Sequence, residues 1–420
     1  MAGLRQLFAD TRPLRVPAFR RLWLANIVTV IGAQLTVVTI PAQIYADTGS
    51  SAYVGLTGLF GLVPLIVFGL WGGALADALD RRVLLVVTTG GLIVTSGLLW
   101  AQAAAGSTDV WLLLGLFALQ QSFFAIDQPT RSAVIPRLVP AEQLPAANAL
   151  QMTVVQAGAI AGPLVGGVLI PFIGFSWLYL VDTLCLFATL VAVLRLPSLR
   201  VEGNVQAPGL RSVIDGFRYL RLHPVLLMSF VVDIIAMLFG MPRALFPEIA
   251  HTSFGGESAG GLAFAALSAA IPAGAVLGGI FSGWVSRVRR QGVAVVSAIV
   301  VWGLAVVAFG IAAGFGGGVA GTMLVVAVLA LMVGGAADMA SAAFRTSMLQ
   351  SAAEDAVRGR LQGIFIVVVA GGPRLADTLH GGAASVVGAA PAAAGGGVLV
   401  IVVTIVAVLL VPSFLRYRVE

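Results

Sequence analysis

The sequence predicts an all-α membrane protein of twelve transmembrane helices arranged as two pseudo-symmetric six-helix bundles. Three observations predict it. Of 420 residues, 59% are apolar and 10% charged, against the roughly 25% charged of soluble domains. Uncharged runs of the length that crosses a bilayer, about 20 apolar residues, recur along the chain. The basic residues, all 24 of them arginine, fall between these runs in an alternating pattern.

Taken in order, residues 1–20 read as a cytoplasmic segment, and the chain from 21 to 195 as the first bundle. Leu22 to Ala46, Thr48 to Ala76 and Val83 to Thr108 are its first three spans, and a fourth runs from about Asp109 to Arg131. Gln143 to Val181 carries no charge and holds the fifth span, which turns at Pro171 to Trp177 into a sixth ending near Arg195. Residues 196–222, with Arg200, Glu202, Asn204, Pro208, Gly209, Arg211 and Asp215, read as an aqueous linker with a short amphipathic helix. The second bundle, 223–414, has spans at roughly 223–247, 259–286, 291–314, 318–343, 360–386 and 393–414, and 415–420 form a tail.

Arginine placement sets orientation, because positively charged loops stay on the cytoplasmic side. Of the 24 arginines, 22 fall in the segments that alternate onto one face, and only Arg243 and Arg374 do not. Both termini and the linker are therefore expected in the cytoplasm. Arg20 and Arg21 precede an apolar run with no small-residue cleavage site, which favours a retained helix over a signal peptide. The single cysteine, Cys185, excludes an internal disulfide and any multi-cysteine metal site. No metal, no cofactor and no nucleic-acid partner is expected.

The halves repeat. Gly73-Ala-Leu-Ala-Asp77 through Arg81 and Arg82 corresponds to Gly279 through Arg287, and Pro129-Thr-Arg131-Ser-Ala corresponds to Ala343-Phe-Arg345-Thr-Ser. Both offsets are close to half the chain, the plan of parallel repeats about an axis along the membrane normal.

Within the fifth span, Gly158, Gly162 and Gly166 recur every four residues and share one face, where a second backbone can approach closely. Pro163 interrupts the amide ladder beside them, and Gly167 closes the stretch. Ionisable residues inside the bilayer each cost at least about 2.5 to 3.5 kcal/mol at a helix centre and tend to mark a pathway. Asp233 in the seventh span, Asp182 in the sixth, and Asp377 in the eleventh are the candidates for proton coupling. Arg374 lies three residues before Asp377, on the same helix face, and His380 follows one turn later; a pairing of Arg374 with Asp233 or Asp377 would keep the carboxylate ionised. Gln34 and Gln43 on the first span offer amide donors and acceptors without charge. With Arg374 and His380 they are the candidate cargo-cavity residues. Arg243 and Glu248 are expected at the interface, and His223 and His251 are assigned nothing.

These residues carry a resemblance. Gly158 to Gly167 resembles the antiporter motif of major facilitator superfamily exporters, which implies a kinked fifth helix at its contact with the eighth; Ala149 stands where the longer form of the motif has another glycine. Gly73, Leu75, Asp77, Arg81 and Arg82 resemble the superfamily's motif between helices two and three, with departures at Ala78 and Asp80. This implies a cytoplasmic gate of Gly73, Asp77, Arg81, Arg82, Asp127 and Arg131, with Arg287 and Arg345 in the second half. Pro41-Ala-Gln43-Ile, Asp127 to Pro136, Ala147-Asn148-Ala-Leu and Ala269 to Ala275 together are similar to the enterobactin exporter family of siderophore and drug effluxers. The resemblance implies an inner-membrane, proton-driven exporter. Its partners would be a small amphipathic or anionic cargo, protons and the lipid bilayer, acting as a monomer. Same-fold uptake or lysophospholipid flipping is the alternative within transporters. A scaffold or receptor would not need charges at mid-depth, and an intramembrane enzyme would need a nucleophile with a base or a metal cluster, which three scattered histidines and one cysteine do not supply.

Overall fold

The computed structural model describes residues 10–197, 218–257, 260–316, 320–352 and 355–418; the side chains at 70–78, 286, 320, 350–352 and 355–370 lie outside the description. The described chain is helical throughout: α1 (Pro17–Thr48), α2 (Ser51–Ala78), α3 (Arg81–Ala104), α4 (Val110–Leu138), α5 (Leu144–Leu194), α6 (Pro224–Gly240), α7 (Phe246–Thr252), α8 (Leu262–Ile280), α9 (Gln291–Gly314), α10 (Ala320–Ala352), α11 (Asp355–Val387), α12 (Ala389–Leu410) and the short α13 (Ser413–Arg416). Ten elements among the described residues are long and apolar enough to cross a membrane.

One of these, Ala141–Leu194, is 54 residues long, more than twice what a crossing needs. Its helix breaks at Gly174, where φ is 75°, a conformation that costs glycine nothing and other residues dearly. The break lies inside the turn expected at Pro171 to Trp177. The linker expected at 196–222 falls outside the described residues from 198 to 217; residues 218–222 are helical.

The seventh span is not the continuous helix that 223–247 suggested. α6 stops at Gly240, a 3-10 turn follows at Arg243–Leu245, and α7 continues from Phe246. Pro242 has no amide to donate, so carbonyls of the preceding turn lose their partners. Buried side chains from neighbouring helices engage this end of α6: Trp302 Nε1 donates to the Ala236 carbonyl at 3.2 Å. His380 Nε2 lies 3.1 Å from the Phe239 carbonyl, which only accepts, so this nitrogen carries the proton.

The chain divides into two compact units. The first comprises 1–40, 63–166 and 172–207; the second comprises 41–62, 167–171 and 208–420. In the first, Phe19, Ile135, Val139, Ala147 and Leu150 form one buried cluster, and Leu22, Leu85, Val134, Val193 and Leu196 another. In the second, small residues bring backbones together, as expected where lipid removes the hydrophobic drive for helix association. A Cβ on Gly278 of α8 would lie 2.9 Å from Ala336 Cα of α10, and one on Gly310 of α9 would lie 2.8 Å from Ala394 Cα of α12. Large apolar side chains stand outward, among them Phe172, Leu184, Val386 and Leu410, a surface suited to hydrocarbon rather than water.

Many hydroxyls inside the helices are satisfied by their own helix. Thr29, Thr39, Thr48, Ser122, Thr130, Thr153 and Thr183 each donate to the carbonyl one turn back, the standard disposal of a hydroxyl that has no water to meet.

Candidate functional site

The polar residues collect in clusters within each unit. In the first, Asp182 is 2% exposed and accepts from Thr36 Oγ1 at 2.7 Å and Ser96 Oγ at 3.0 Å through one oxygen. Thr183 Oγ1 lies 3.0 Å from Ser96 Oγ, so its one proton is shared between that oxygen and the Tyr179 carbonyl. The other oxygen of Asp182, Oδ1, is buried without a hydrogen bond against Gly32, whose missing side chain makes the room. The carboxyl group thus rests on hydroxyls from α1 and α3 alone. Among the described residues no cation contacts it.

The second cluster of this unit surrounds the foot of α4. Arg131 Nε and Nη2 donate to Asp127 Oδ2 at 3.1 and 2.9 Å, and Thr88 Oγ1 donates to Oδ1 at 2.9 Å. Both ionised side chains are nearly buried. Arg81 Nη1 reaches the Ala133 carbonyl at 3.0 Å, and Arg82 Nη2 the Leu194 carbonyl at 2.6 Å. Gly73 lies on α2, while the side chain of Asp77 is outside the described residues. Asp80, one of the departures from the motif, serves as a helix cap. Its side chain accepts from the Arg82 amide at 2.9 Å at the start of α3, satisfying one of the amides orphaned there.

The glycine face of α5 meets a different partner from the one expected. Cβ atoms on Gly158, Gly162 and Gly166 would fall on Val30, Gln34 and Leu35 of α1, not on the eighth span. Three residues spaced by four share one face, and in this fold that face belongs to α1. Gly167, one position on and therefore turned about 100° away, meets α8: its Cβ would lie 2.8 Å from Ala265 Cα, and its carbonyl accepts from the Gly261 amide at 2.8 Å. The backbone stays helical through Pro163. Gln34 is therefore part of a helix contact.

In the second unit, Asp233 pairs with Arg345 of α10. Asp377 pairs with Arg243 at 3.3 Å. The sequence offered Arg374 as the partner of either carboxylate, but Arg374 Nη1 donates to the Gly61 carbonyl of α2. Arg243 is likewise not confined to an interface: the break in α6 turns it toward α11. Arg345, expected beside a gate loop, is 4% exposed and also lies 4.0 Å from Asp338 Oδ1. Sequence reading passed over Asp338, although its spacing of seven from Arg345 puts both on one helix face. Arg287 is exposed on the 3-10 turn that follows α8. Gln43 is buried and hydrogen-bonded to Asp47 one turn on. His380 is buried against Gly396 and the end of α6, a position that holds the broken helix. Among the described residues no group of histidine, cysteine and carboxylate side chains could hold a metal.

Long apolar helices with charges buried in pairs, hydroxyl-bound carboxyls and a broken seventh span mark a multi-pass membrane protein. Solved structures agree on the fold. The nucleoside transporter NupG superposes with a TM-score of 0.71 at 15% identity, over 96% of this chain and 100% of that one. A bacterial homologue of the human lysosomal transporter Spinster gives 0.67 at 16%, over 97% of each chain. In sequence, a family described as transmembrane secretion effectors matches residues 9–415. The enterobactin exporter EntS of Shigella boydii serotype 18 is 30% identical over 375 residues, covering 87% of this chain and 85% of that protein. The EntS of Escherichia coli O81 gives the same identity and coverage. This chain belongs to the transmembrane secretion effector family of the major facilitator superfamily, as an exporter similar to the enterobactin exporters. It is a multi-pass protein of the bacterial inner membrane and a transporter, not an enzyme.

Proposed function

We propose that this chain is a proton-driven antiporter that exports a small amphipathic or anionic molecule of the siderophore or drug class. The observation that supports it most is the set of carboxylates buried on spanning helices, in a chain 30% identical to enterobactin exporters. A proton moving inward is driven by about 2.3 kcal/mol per 100 mV in addition to the pH gradient. A buried carboxylate is the group that can accept it. Asp233, Asp377 and Asp182 are the proposed coupling residues. The cluster of Arg243, Asp377 and Arg374 suits an anionic cargo, because Arg243 holds the Asp377 carboxylate, a second guanidinium, that of Arg374, stands one turn from Asp377 on the same helix, and a cargo anion would compete with Asp377 for Arg243. Asp377 released from Arg243 would then be free to take the proton.

The topology belongs to the same reading: twelve crossings in bundles at 21–195 and 223–414, both termini and the linker cytoplasmic, and a monomer as the working unit. Gly73, Asp77, Arg81, Arg82, Asp127, Arg131, Arg287 and Arg345 are the proposed residues of the cytoplasmic gate. Gly158, Gly162, Pro163, Gly166 and Gly167 keep α5 close to its neighbours through that change.

The cargo class is tested by profiling metabolites in the medium of a deletion strain under iron limitation and in iron-replete medium. Loss of a siderophore in the first condition alone supports the reading; drug sensitivity without a secretion defect moves the cargo to general efflux. Direction and coupling are tested in inverted vesicles. Export cargo should accumulate inside on energisation and leak out with a protonophore, whereas uptake or flipping would not give that pattern. Of Asp233→Asn and Asp377→Asn, at least one should abolish gradient-driven transport and leave counterflow exchange. Wild-type transport by both would remove them as coupling residues.

A further inference from the structure

We propose that Asp233, Arg345 and Asp338 form a proton-holding triad in which two carboxyl groups share one guanidinium and one proton, with Asp338 as the position where that proton is exchanged. The inference deepens the proton-coupled reading by giving the proton a seat, and it rests on that reading only for the use of the seat in transport.

The argument is a charge count in apolar surroundings. Arg345 is 4% exposed and Asp233 2%, and they form an ion pair between α10 and α6. Asp338, two turns before Arg345 on α10, brings its Oδ1 to 4.0 Å from the same guanidinium. Arg345 Nε is already engaged with the Ser341 carbonyl at 3.3 Å. The cluster thus holds two acids and one permanent cation. A charge buried without a counter-ion costs several kcal/mol even after the surroundings relax, and two neighbouring carboxylates disfavour joint ionisation.

No second cation joins them among the described residues. Asp233 is the only ionisable residue of α6, and α8, α9 and α12 carry none. On α11, Arg374 reaches Gly61, Asp377 pairs with Arg243, and His380 faces Phe239. Arg287, after α8, is exposed. One proton balances the count. Burial then separates the two acids: the side chain of Asp233 is sealed, whereas that of Asp338 is 27% exposed. Asp338 is the more open of the two acids, so loading and release belong there.

Breaking the pair between α6 and α10 would transfer Arg345 wholly to Asp338 and leave Asp233 to hold the proton. Restoring it would return the proton to Asp338. The triad therefore ties the position of a proton to the packing of two helices.

The test needs neither cargo nor gradient. The purified full chain in lipid nanodiscs is titrated by infrared difference spectroscopy, following the carbonyl stretch of protonated carboxylic acids. The wild type should show a band that Asp338→Asn and Asp233→Asn each remove, because either variant leaves one carboxylate for one guanidinium. Asp182→Asn should retain that band. Arg345→Gln should add a second acid band, since both carboxyls must then be neutral. Thermal unfolding of the charge-balanced single variants confirms that they remain folded. Persistence of the band in both Asp338→Asn and Asp233→Asn overturns the triad, as does its displacement by sodium at fixed pH, which would make the site a metal-cation site. A failed vesicle assay with an intact band would instead count against the transport reading and leave the triad standing.

Discussion

The contact between α2 and α11 can be loosened by a single methyl group. Gly58 lies so close to α11 that a Cβ would fall on the Arg374 carbonyl and 2.8 Å from Thr378 Oγ1. Two hydrogen bonds flank it, Thr378 Oγ1 to the Gly55 carbonyl at 3.1 Å and Arg374 Nη1 to that of Gly61. In Gly58→Ala the methyl cannot be accommodated by a rotamer change, because the obstacle is backbone. Overpacking costs about 1–3 kcal/mol, and the two bonds add about 0.6 kcal/mol each, the average for such interhelical bonds in a membrane. The better helix propensity of alanine offsets about 1 kcal/mol. The net penalty on this conformation is about 1–3 kcal/mol, a population change of about 5- to 150-fold. Ser51, 2% exposed at the start of α2, has its carbonyl beside Gly381. A cysteine introduced there, in a Cys185→Ala background, should react with a membrane-impermeant maleimide faster by that factor when Gly58→Ala is added. An unchanged labelling rate would show that α2 and α11 are not held together through this contact.

Further substitutions separate packing from chemistry. Gly90→Ala, where nothing lies within 4 Å of the new Cβ, should stabilise α3 by about 1 kcal/mol and raise the unfolding temperature in detergent. Gly162→Leu drives a side chain into Gln34 and should impair efflux while the protein still reaches the membrane fraction; normal efflux would remove α5 from the mechanism. Asp127→Ala leaves Arg131 buried without its carboxylate and should cost about 3–5 kcal/mol, with most of it regained in the Asp127→Ala/Arg131→Met double variant. Additive losses in that pair, measured by thermal unfolding, would contradict a direct ion pair.

The helical fold was legible because lipid imposes long uncharged runs, and their ends are set by polar residues that cannot enter. The turn at Gly174 was legible for the same reason: a run too long for one crossing must reverse, and glycine supplies the conformation. What sequence reading missed depended on packing. The break after Gly240 is written only as Gly-Met-Pro, a pattern equally compatible with a kinked continuous helix, and it takes Trp302 and His380 from other helices to engage the carbonyls at that end. The glycine face of α5 was recognised, but a face does not state its partner; the four-residue stripe meets α1, and only Gly167 meets α8. Buried charges were found by depth, while their pairing was not, since nothing in the spacing distinguishes Arg345 from Arg374 as the counter-ion of Asp233. Asp338 escaped notice because attention to span exits weighs Arg345 as a loop residue.

The two halves of the chain treat the same arginine differently. Arg131 and Arg345 occupy matching positions in the repeat, and four residues before them stand Asp127 and Ser341. In the first half the carboxylate is supplied by the arginine's own helix, with Thr88 fixing its second oxygen. An i, i+4 pair of this kind is made by helix geometry itself, so it persists however α4 moves relative to its neighbours. In the second half serine replaces the aspartate, only its carbonyl meets Arg345, and the charge must come from Asp233 on α6 or from Asp338 two turns away. That arrangement depends on how α6 packs against α10. Of the two arginines, Arg345 is the one whose neutralisation depends on a second helix, and under the proposed triad it is the one where a change of packing would be converted into the binding or release of a proton.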